Sequence, residues 1–172
     1  MAFNPKLIAN EFIAISKDDG NHLSPMKMQK LVYFAHGWFL ALAGRSLICE
    51  AIEAWDYGPV VPSLYREFKP YGNLPITDFA TVAEWDKASR KIRFSKPQLS
   101  DETTEEAKFA AALVRKVWDK YAVFSPIRLS NATHVNGSPW AQVYRAGERG
   151  IPIPDELIKD YFTKLIHGGS EA

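Results

Sequence analysis

The sequence predicts a mainly α protein of the α+β class, a compact bundle of about six or seven helices with a small two- or three-stranded antiparallel β element. Proline-containing helix starts recur along the chain, and apolar residues follow them at helical spacing. Only two short segments alternate as strands do. The 172 residues suffice for one core, since folding a chain of roughly 150 residues buries about 70% of its unfolded surface.

The first two helices begin with the same signal, a polar N-cap followed by proline. Asn4-Pro5 begins a helix that ends at Asp18-Asp19-Gly20. Ser24-Pro25 begins a second helix, which ends at Gly44, a residue suited to a left-handed C-cap. The second helix is apolar on nearly all sides, so we expect it at the centre of the bundle.

The next segment predicts a short strand and a third helix. Residues 47–57 combine β-branched and aromatic residues with three carboxylates, and we interpret them as a short strand. Gly58-Pro59 ends this strand. Pro62 then begins a short amphipathic helix that stops at Tyr71-Gly72.

Residues 73–84 are expected to form a loop with a short helical piece, because Pro75 and Asp78 interrupt any longer pattern. Residues 90–94 alternate basic and apolar side chains, the pattern of a half-exposed strand. We expect this strand to pair with residues 52–55.

The second half of the chain is predicted to be helical. Acidic residues between 100 and 106 introduce a long helix that continues to Tyr121 and complement its dipole. Three further helix starts are Ser125-Pro126, Ser138-Pro139 and Pro154-Asp155. We expect the last helix to end near His167, a single domain over residues 1–167, and a flexible tail at residues 168–172.

Composition and charge exclude several functional classes. The formal net charge is only +1, so the chain lacks the large positive charge of a duplex-binding protein, and nucleic acid is an unfavoured partner. The single cysteine, Cys49, cannot form an internal disulfide. The first residues lack the apolar run of a signal peptide, and no segment has the length of a membrane span. We expect a cytoplasmic protein that does not contact a membrane.

The sequence offers little support for a metal or a cofactor. The four histidines, His22, His36, His134 and His167, are scattered, whereas metal ligands usually occur as close pairs. Glu50, Glu53 and Asp56 lie near the predicted strand, but only some of them can point the same way, so solvated strand and rim positions explain them better than a carboxylate nuclease centre does.

Two nucleophile pairs remain as alternatives. Ser130 and His134 are four residues apart and would share a helix face, yet no nucleophile elbow or oxyanion element accompanies them. Cys49 has no basic neighbour to activate its thiol, and a small buried or half-buried cysteine is the favoured interpretation. We therefore expect no enzymatic activity.

Two basic segments permit other partners. Lys87, Arg90, Lys91, Arg93 and Lys96 form a cluster interleaved with Trp85 and Phe94, which suits a protected edge strand or contact with an acidic protein better than nucleic acid. Residues 103–121 also carry Lys108, Arg115, Lys116 and Lys120, so a prophage-encoded DNA-binding regulator is an alternative function.

Three separated motifs resemble the Panacea domain, the domain of SocA-like antitoxins, also labelled phage-associated GepA-like proteins. They occur in the order of that family and are Met28 to Trp38 (MQKLVYFAHGW), Glu53 to Pro62 (EAWDYGPVVP) with Tyr65, and Leu129-Ser130, Thr133-His134 and Ser138-Pro139-Trp140. The resemblance extends from about Asn4 to Phe162.

The resemblance implies an antitoxin that neutralises a cognate toxin, encoded nearby on a bacterial chromosome or prophage, by direct binding. Because the family includes a proteolytic adaptor, it also suggests an AAA+ protease as a second partner. It implies no enzymatic activity and does not identify the toxin.

Tight protein binding depends on a few aromatic or Arg anchors presented with little entropy to lose. We therefore predict a contact surface around the aromatic turn, with packing at the junction of strand and helices as the alternative role for the same residues. The predicted surface comprises Tyr57, Pro59, Val60, Tyr65 and Arg66, with His134 and Trp140 adjacent.

Overall fold

The computed structural model describes residues 2–168. Within them, seven α-helices accompany two separate two-stranded antiparallel sheets. The helices are α1 (Pro5–Asp18), α2 (Pro25–Ala43), α3 (Pro62–Phe68), α4 (Glu105–Tyr121), α5 (Pro126–Thr133), α6 (Pro139–Val143) and α7 (Asp155–His167). The strands are β1 (Glu53–Trp55), β2 (Gly58–Val60), β3 (Val82–Asp86) and β4 (Lys91–Ser95). The predicted fold class is confirmed.

The N-caps explain why the helices begin where the sequence predicts. Asn4 accepts a hydrogen bond from the Lys6 amide at 3.0 Å, and serines at positions 24, 125 and 138 cap α2, α5 and α6 in the same way. Each cap satisfies a backbone donor that the first turn of a helix leaves free. At the other end of α2, Gly44 has a φ of 72°, the left-handed C-cap predicted for it.

Helix α2 is the central element, as its apolar composition predicts. It contacts α1, α3, α4, α5 and α7. Phe34 stacks on Tyr121 of α4 with ring centroids 4.5 Å apart, and Trp38 meets the edge of Phe162 on α7 at 5.0 Å. Buried aromatic pairs of this kind stabilise a core beyond the area they bury.

Gly37 of α2 packs directly against Phe162 of α7, which gives a stability prediction. A Cβ at this position would lie 2.2 Å from the ring of Phe162, a side chain with only 1% of its surface exposed. Alanine favours a helix over glycine by about 1 kcal/mol, but we expect Gly37→Ala to lower the free energy of unfolding by about 2 kcal/mol because the core is overpacked. Urea denaturation measures this loss, and adding Phe162→Leu to the Gly37→Ala variant should restore part of it. A Gly37→Ala protein more stable than the parent would contradict the packing.

The predicted strand pairing is wrong. β4 pairs with β3, with Trp85 opposite Ile92, and not with residues 52–55. The expected helical piece within residues 73–84 is absent from this described segment, whose end instead forms the beginning of β3. A local hairpin closes a shorter loop and so costs less chain entropy than the long-range pairing. Glu84 and Asp86 have low strand propensity, so the sequence pattern does not indicate β3.

The β1–β2 hairpin has an additional neighbour. The Ala54 amide donates to the Ile151 carbonyl at 2.9 Å, and the Ile153 amide donates to the Ile52 carbonyl at 2.7 Å. Residues 151–153 therefore lie along β1 and join the segment before α7 to the hairpin.

The C-terminus is described only to Gly168, whose amide donates to the Lys164 carbonyl at the end of α7. The rest of the predicted tail, residues 169–172, lies outside the described residues. Among the helices of residues 2–168, none combines the length and the apolar character that crossing a membrane requires.

Candidate protein-binding site

The site is built on a tight turn between β1 and β2. Trp55 pairs with Gly58 across the hairpin, which leaves Asp56 and Tyr57 at its tip. Gly58 has a φ of 103°, a conformation that residues with a side chain rarely adopt. We call residues 55–61 the clamped turn, because side chains from three helices and the residue that ends one of them hold its backbone.

Two side chains of α2 hold the second half of the clamped turn. Gln29 makes a pair of hydrogen bonds with Val61: its amide nitrogen donates to the Val61 carbonyl at 3.2 Å, and its oxygen accepts from the Val61 amide at 2.8 Å. The Lys30 ammonium donates to the Pro59 carbonyl at 3.0 Å. The Met-Gln-Lys-Leu motif is therefore hydrogen-bonded directly to the Gly-Pro-Val-Val motif.

Residues from the C-terminal half hold the first half of the turn. The Ser130 hydroxyl donates to the Tyr57 carbonyl at 2.8 Å, and Trp140 Nε1 donates to the Trp55 carbonyl at 2.8 Å. His134, just after α5, lies with Nε2 3.3 Å from the Asp56 carbonyl and Nδ1 2.6 Å from the Ser130 carbonyl. All three motifs thus meet at one turn, although a hundred residues separate the first from the last.

An aromatic stack supports the same turn from outside. The Trp140 ring lies 3.9 Å from that of His134 and stacks on Tyr144 at 4.4 Å. The Tyr144 hydroxyl donates to the Asp56 carboxylate at 2.8 Å, and this bond raises the pKa of Tyr144. The stack therefore fixes the side chain as well as the backbone of Asp56.

An open cleft of about 460 Å³ lies beside the clamped turn. Its walls include Pro25 and Met26 at the start of α2, Val60 in the turn, and Glu148 and Arg149 before α7. The wall also contains an aromatic pair and the tip of the turn, namely Trp55, Tyr65 and Tyr57. Most of this lining is apolar, with charges of both signs at its edge, which is the usual character of a binding cleft.

The predicted contact residues divide into two groups. Tyr57 is 72% exposed and Tyr65 45% exposed, and Arg66 also faces solvent. Pro59, Val60 and Trp140 are buried, and His134 is half-buried. The first group supplies accessible surface, whereas the second mainly supports the turn.

Tyr65 is not an isolated surface residue. Its ring meets that of Trp55 at 4.8 Å in an edge arrangement, and the Trp55 indole donates to Glu53 at 2.7 Å. Helix α3 is itself fixed at its start, where Glu50 accepts from the Ser63 amide at 2.9 Å. The exposed aromatic surface therefore rests on ordered side chains.

Pro25, Met26, Lys69, Glu148 and Arg149 belong to the cleft but were not predicted as contact residues. They come from three distant segments, and no local pattern marks them. The one available sequence signal was Gln29-Lys30, polar residues on an otherwise apolar helix that must find partners when buried.

Lys30 is the most perturbed cation of the site. Only 1% of its surface is exposed, and this burial lowers the pKa of Lys30 to about 7. An amine of this pKa stays a hydrogen-bond donor when neutral, so the bond to Pro59 persists above neutral pH.

The lowered pKa of Lys30 predicts a pH-dependent stability. Below about pH 7 Lys30 is protonated in both the folded and the unfolded state, and the folded protein bears the full cost of burying the charge. Between pH 7 and the unfolded pKa of 10.5 the unfolded chain binds more protons than the folded protein, so stability rises with pH. From pH 7 to pH 9 the free energy of unfolding should rise by about 2 kcal/mol relative to Lys30→Met. Paired urea titrations measure this difference, and an unchanged difference would show that Lys30 has an ordinary pKa.

The hydrolase alternative loses its geometric basis. The Ser130 hydroxyl donates to the Tyr57 carbonyl, while His134 faces the Ser130 carbonyl and not its hydroxyl. Cys49 is exposed, contrary to the burial expected for it. A nucleophile needs a base within hydrogen-bond reach, and Ser130 is instead a structural donor.

The carboxylates near β1 also accept hydrogen bonds from other groups of the protein. Glu50 binds the Ser63 amide, Glu53 the Trp55 indole, and Asp56 the Tyr144 hydroxyl. Across residues 2–168, no group of histidine, cysteine and acidic side chains has the arrangement to hold a metal ion.

Two of the basic residues of α4, Lys108 and Arg115, are engaged in ion pairs within the protein. Lys108 pairs with Glu105 at 2.7 Å, and Arg115 pairs with Asp19 and Asp119 at 3.1 and 2.9 Å. A recognition helix needs its cations free for phosphates and bases, so this arrangement disfavours the DNA-binding alternative.

The fold and the site define a helical scaffold that holds an aromatic turn beside an open cleft. The family model described as "Antitoxin SocA-like, Panacea domain" matches residues 28–141, which include all three motifs. The chain belongs to this family of SocA-like antitoxins. It is also similar to a protein named Antitoxin SocA from Caulobacter vibrioides (strain NA1000 / CB15N), with 32% identity over 144 residues, 81% of this chain and 72% of the relative. No solved structure matches the chain.

Proposed function

We propose that this protein is an antitoxin that neutralises a cognate toxin by binding it directly through the clamped turn and its cleft. Its family supports an antitoxin role in general. The contact surface we propose comprises Tyr57, Tyr65 and Arg66, with Trp55 and Val60 in the wall of the cleft.

The observation that carries this proposal is a turn whose backbone carbonyls are held by side chains while its tip is exposed. Five side chains, Gln29, Lys30, Ser130, His134 and Trp140, contact the carbonyls of residues 55, 56, 57, 59 and 61. Yet Tyr57, at the tip, keeps 72% of its surface in solvent. An aromatic side chain on a fixed backbone loses little entropy on binding, which is the property of an interface hot spot.

The use of the polar groups also favours binding over catalysis. Ser130, Lys30 and His134 are the side chains of the site that could act as a nucleophile, acid or base. Each of them contacts a backbone carbonyl. Reaction chemistry requires such groups to face a substrate. The exposed part of the site instead consists of apolar and aromatic surface with charges around it.

Co-expression with the product of the neighbouring gene tests the proposed function. We expect the neighbour alone to arrest growth, co-expression of this chain to restore it, and the two proteins to purify as one complex by size-exclusion chromatography. A folded chain that neither restores growth nor co-purifies with the neighbour's product would contradict the antitoxin proposal.

The lifetime of the toxin distinguishes the two ways in which direct binding can neutralise it. If this chain only sequesters its toxin, the half-life of the toxin after translation is stopped stays the same or lengthens. If the chain also delivers the toxin to an AAA+ protease, the half-life shortens in the presence of the chain, and deletion of the protease restores it. Immunoblotting of a pulse-chase series measures either result.

A further inference from the structure

The β3–β4 hairpin has one apolar face and one charged face. The register places Trp85 opposite Ile92 and Ala83 opposite Phe94, so these four side chains share a face. Glu84 opposite Arg93 and Asp86 opposite Lys91 share the other. The hairpin is therefore amphipathic across its thickness, like a strand pair that packs on another surface.

The apolar face of this hairpin is open to solvent. Trp85 is 61% exposed, Ile92 58% and Phe94 71%, and all five residues of β4 are exposed. Three large apolar side chains on one face form a contiguous patch, and such patches mark interaction sites more often than isolated surface residues do.

The base of the hairpin is held firmly, although its strands project. Asn10 of α1 is fully buried; its side-chain oxygen accepts from the Ala80 amide at 2.7 Å, and its nitrogen donates to the Pro97 carbonyl at 2.8 Å. Lys6 donates to the Thr81 carbonyl at 2.7 Å, and Glu67 accepts from the Thr81 amide at 3.0 Å. A two-stranded hairpin alone is marginally stable, so these anchors keep an exposed strand pair in a fixed place.

The hairpin as a whole carries an excess of positive charge, and the two cations of its charged face both lie on β4. Residues 82–95 contain four basic and two acidic side chains, Lys87, Arg90, Lys91 and Arg93 against Glu84 and Asp86, for a net charge of +2. Lys96, just beyond β4, is already paired with Asp78 at 2.7 Å. Among the described residues, Lys91 and Arg93 have no ion-pair partner within 4.0 Å.

We propose that the outer edge of β4 is a second docking site, which binds an extended acidic segment of a protein partner as a third strand. A two-stranded sheet leaves one row of backbone donors and acceptors unpaired on each strand, and strand addition uses them. β3 has buried Val82 at one end and half-buried Asp86 at the other, whereas all five residues of β4 are exposed. β4 is therefore the more accessible edge for a partner.

The two faces of β4 specify the sequence of that segment. Side chains opposite each other in neighbouring strands lie on the same face. Acidic residues of the partner would therefore meet Lys91 and Arg93, while the alternate residues, aliphatic or aromatic, would pack on Ile92 and Phe94. The segment that fits is one in which acidic and apolar residues alternate.

The same geometry disfavours two other occupants. Single-stranded nucleic acid needs aromatic side chains for its bases and cations for its phosphates on one surface, but Lys91 and Arg93 lie on the face opposite Trp85 and Phe94. A second copy of this chain paired along β4 would bring Lys91 and Arg93 close to their own equivalents, and like charges on facing strands repel.

A selection experiment with purified, toxin-free protein tests this second site. A library of random dodecapeptides is selected on the full chain and counter-selected on the double variant Arg93→Gln/Phe94→Ser. Enriched peptides are then made with a fluorescent label and titrated by anisotropy. We expect sequences that alternate acidic and apolar residues, with binding to the double variant at least tenfold weaker than to the parent.

Controls separate the edge from the rest of the surface. Ile127→Ala on α5, which removes another exposed apolar side chain (68% exposed), should bind the selected peptide as the parent does. In amide spectra the peptide should shift resonances within residues 82–96, and raising the salt concentration should weaken binding.

Three results would overturn the proposal: no enrichment that depends on the hairpin, enriched peptides without alternating acidic and apolar residues, or tighter binding of oligothymidylate than of any selected peptide to the same strands. Because no toxin is present, failure here leaves the co-expression result unaffected. A chain that fails with its toxin can still bind the peptide.

Discussion

Replacement of Gly58 by alanine is expected to be the most damaging single change to the site. The backbone at this position has a φ of 103°, and a Cβ would lie 2.6 Å from the Thr133 hydroxyl and 2.9 Å from the Lys30 ammonium. Strain at a φ of this kind and overpacking each cost about 1 to 3 kcal/mol. We expect Gly58→Ala to lower the free energy of unfolding by about 3 kcal/mol and to abolish toxin binding.

Gly20→Ala provides a matched control for this prediction. Gly20 also has a positive φ, 66°, but no atom lies within 4 Å of the position of its Cβ. The free energy of unfolding of this variant should fall by only about 1 kcal/mol, the cost of the backbone conformation alone. The variant should bind the toxin normally. Urea denaturation and calorimetry measure the two effects, and equal losses in both variants would show that the contacts with Lys30 and Thr133 do not matter.

Removal of the two exposed tyrosines is expected to have the largest effect on binding without a comparable effect on folding. Tyr57 is 72% exposed, so Tyr57→Ala removes little packing, and Tyr65→Ala loses mainly the ring contact with Trp55. Aromatic hot spots contribute about 2 to 4 kcal/mol to an interface. We expect the double variant to bind the toxin at least a hundredfold more weakly.

Leu42→Ala serves as the control for the tyrosine variant. Leu42 is 55% exposed and lies at the C-terminal end of α2, about 24 Å along the helix from Met26 at 1.5 Å per residue. It removes an exposed apolar side chain far from the cleft, so its affinity should equal that of the parent. Isothermal titration gives the affinities, and thermal unfolding shows whether each variant is folded. Parent-like affinity in a folded double variant would place the toxin elsewhere.

The sequence predicted most helices because their determinants are local. Asn4-Pro5, Ser24-Pro25, Ser125-Pro126 and Ser138-Pro139 each combine a side-chain cap with a proline whose missing amide costs nothing, and the structure begins a helix at each. The strands were harder to predict. β3 contains Glu84 and Asp86 and is stabilised by its pairing with β4, while buried Asn10 binds Ala80 just before it; a local pattern reveals neither contact.

The sequence points to the turn as a contact surface, which stays a prediction, but it does not reveal the side-chain contacts that hold the turn. Resemblance and aromatic content pointed to the turn, and Tyr57 and Tyr65 do lie on its exposed side. The burial of Pro59, Val60 and Trp140 follows from contacts across the chain, such as the bond from Trp140 to the Trp55 carbonyl. Side-chain bonds to distant backbone carbonyls leave no periodic pattern in a sequence, so the clamp itself became evident only in three dimensions.

Hydroxyl-radical footprinting of the toxin complex tests most directly whether the toxin covers the clamped turn. In the free protein the side chains of Tyr57 and Tyr65 are accessible and should be oxidised rapidly. Addition of saturating toxin should protect both tyrosines several-fold while leaving exposed Leu42 unprotected. Unchanged oxidation of Tyr57 and Tyr65 in a complex that protects other residues would contradict the account.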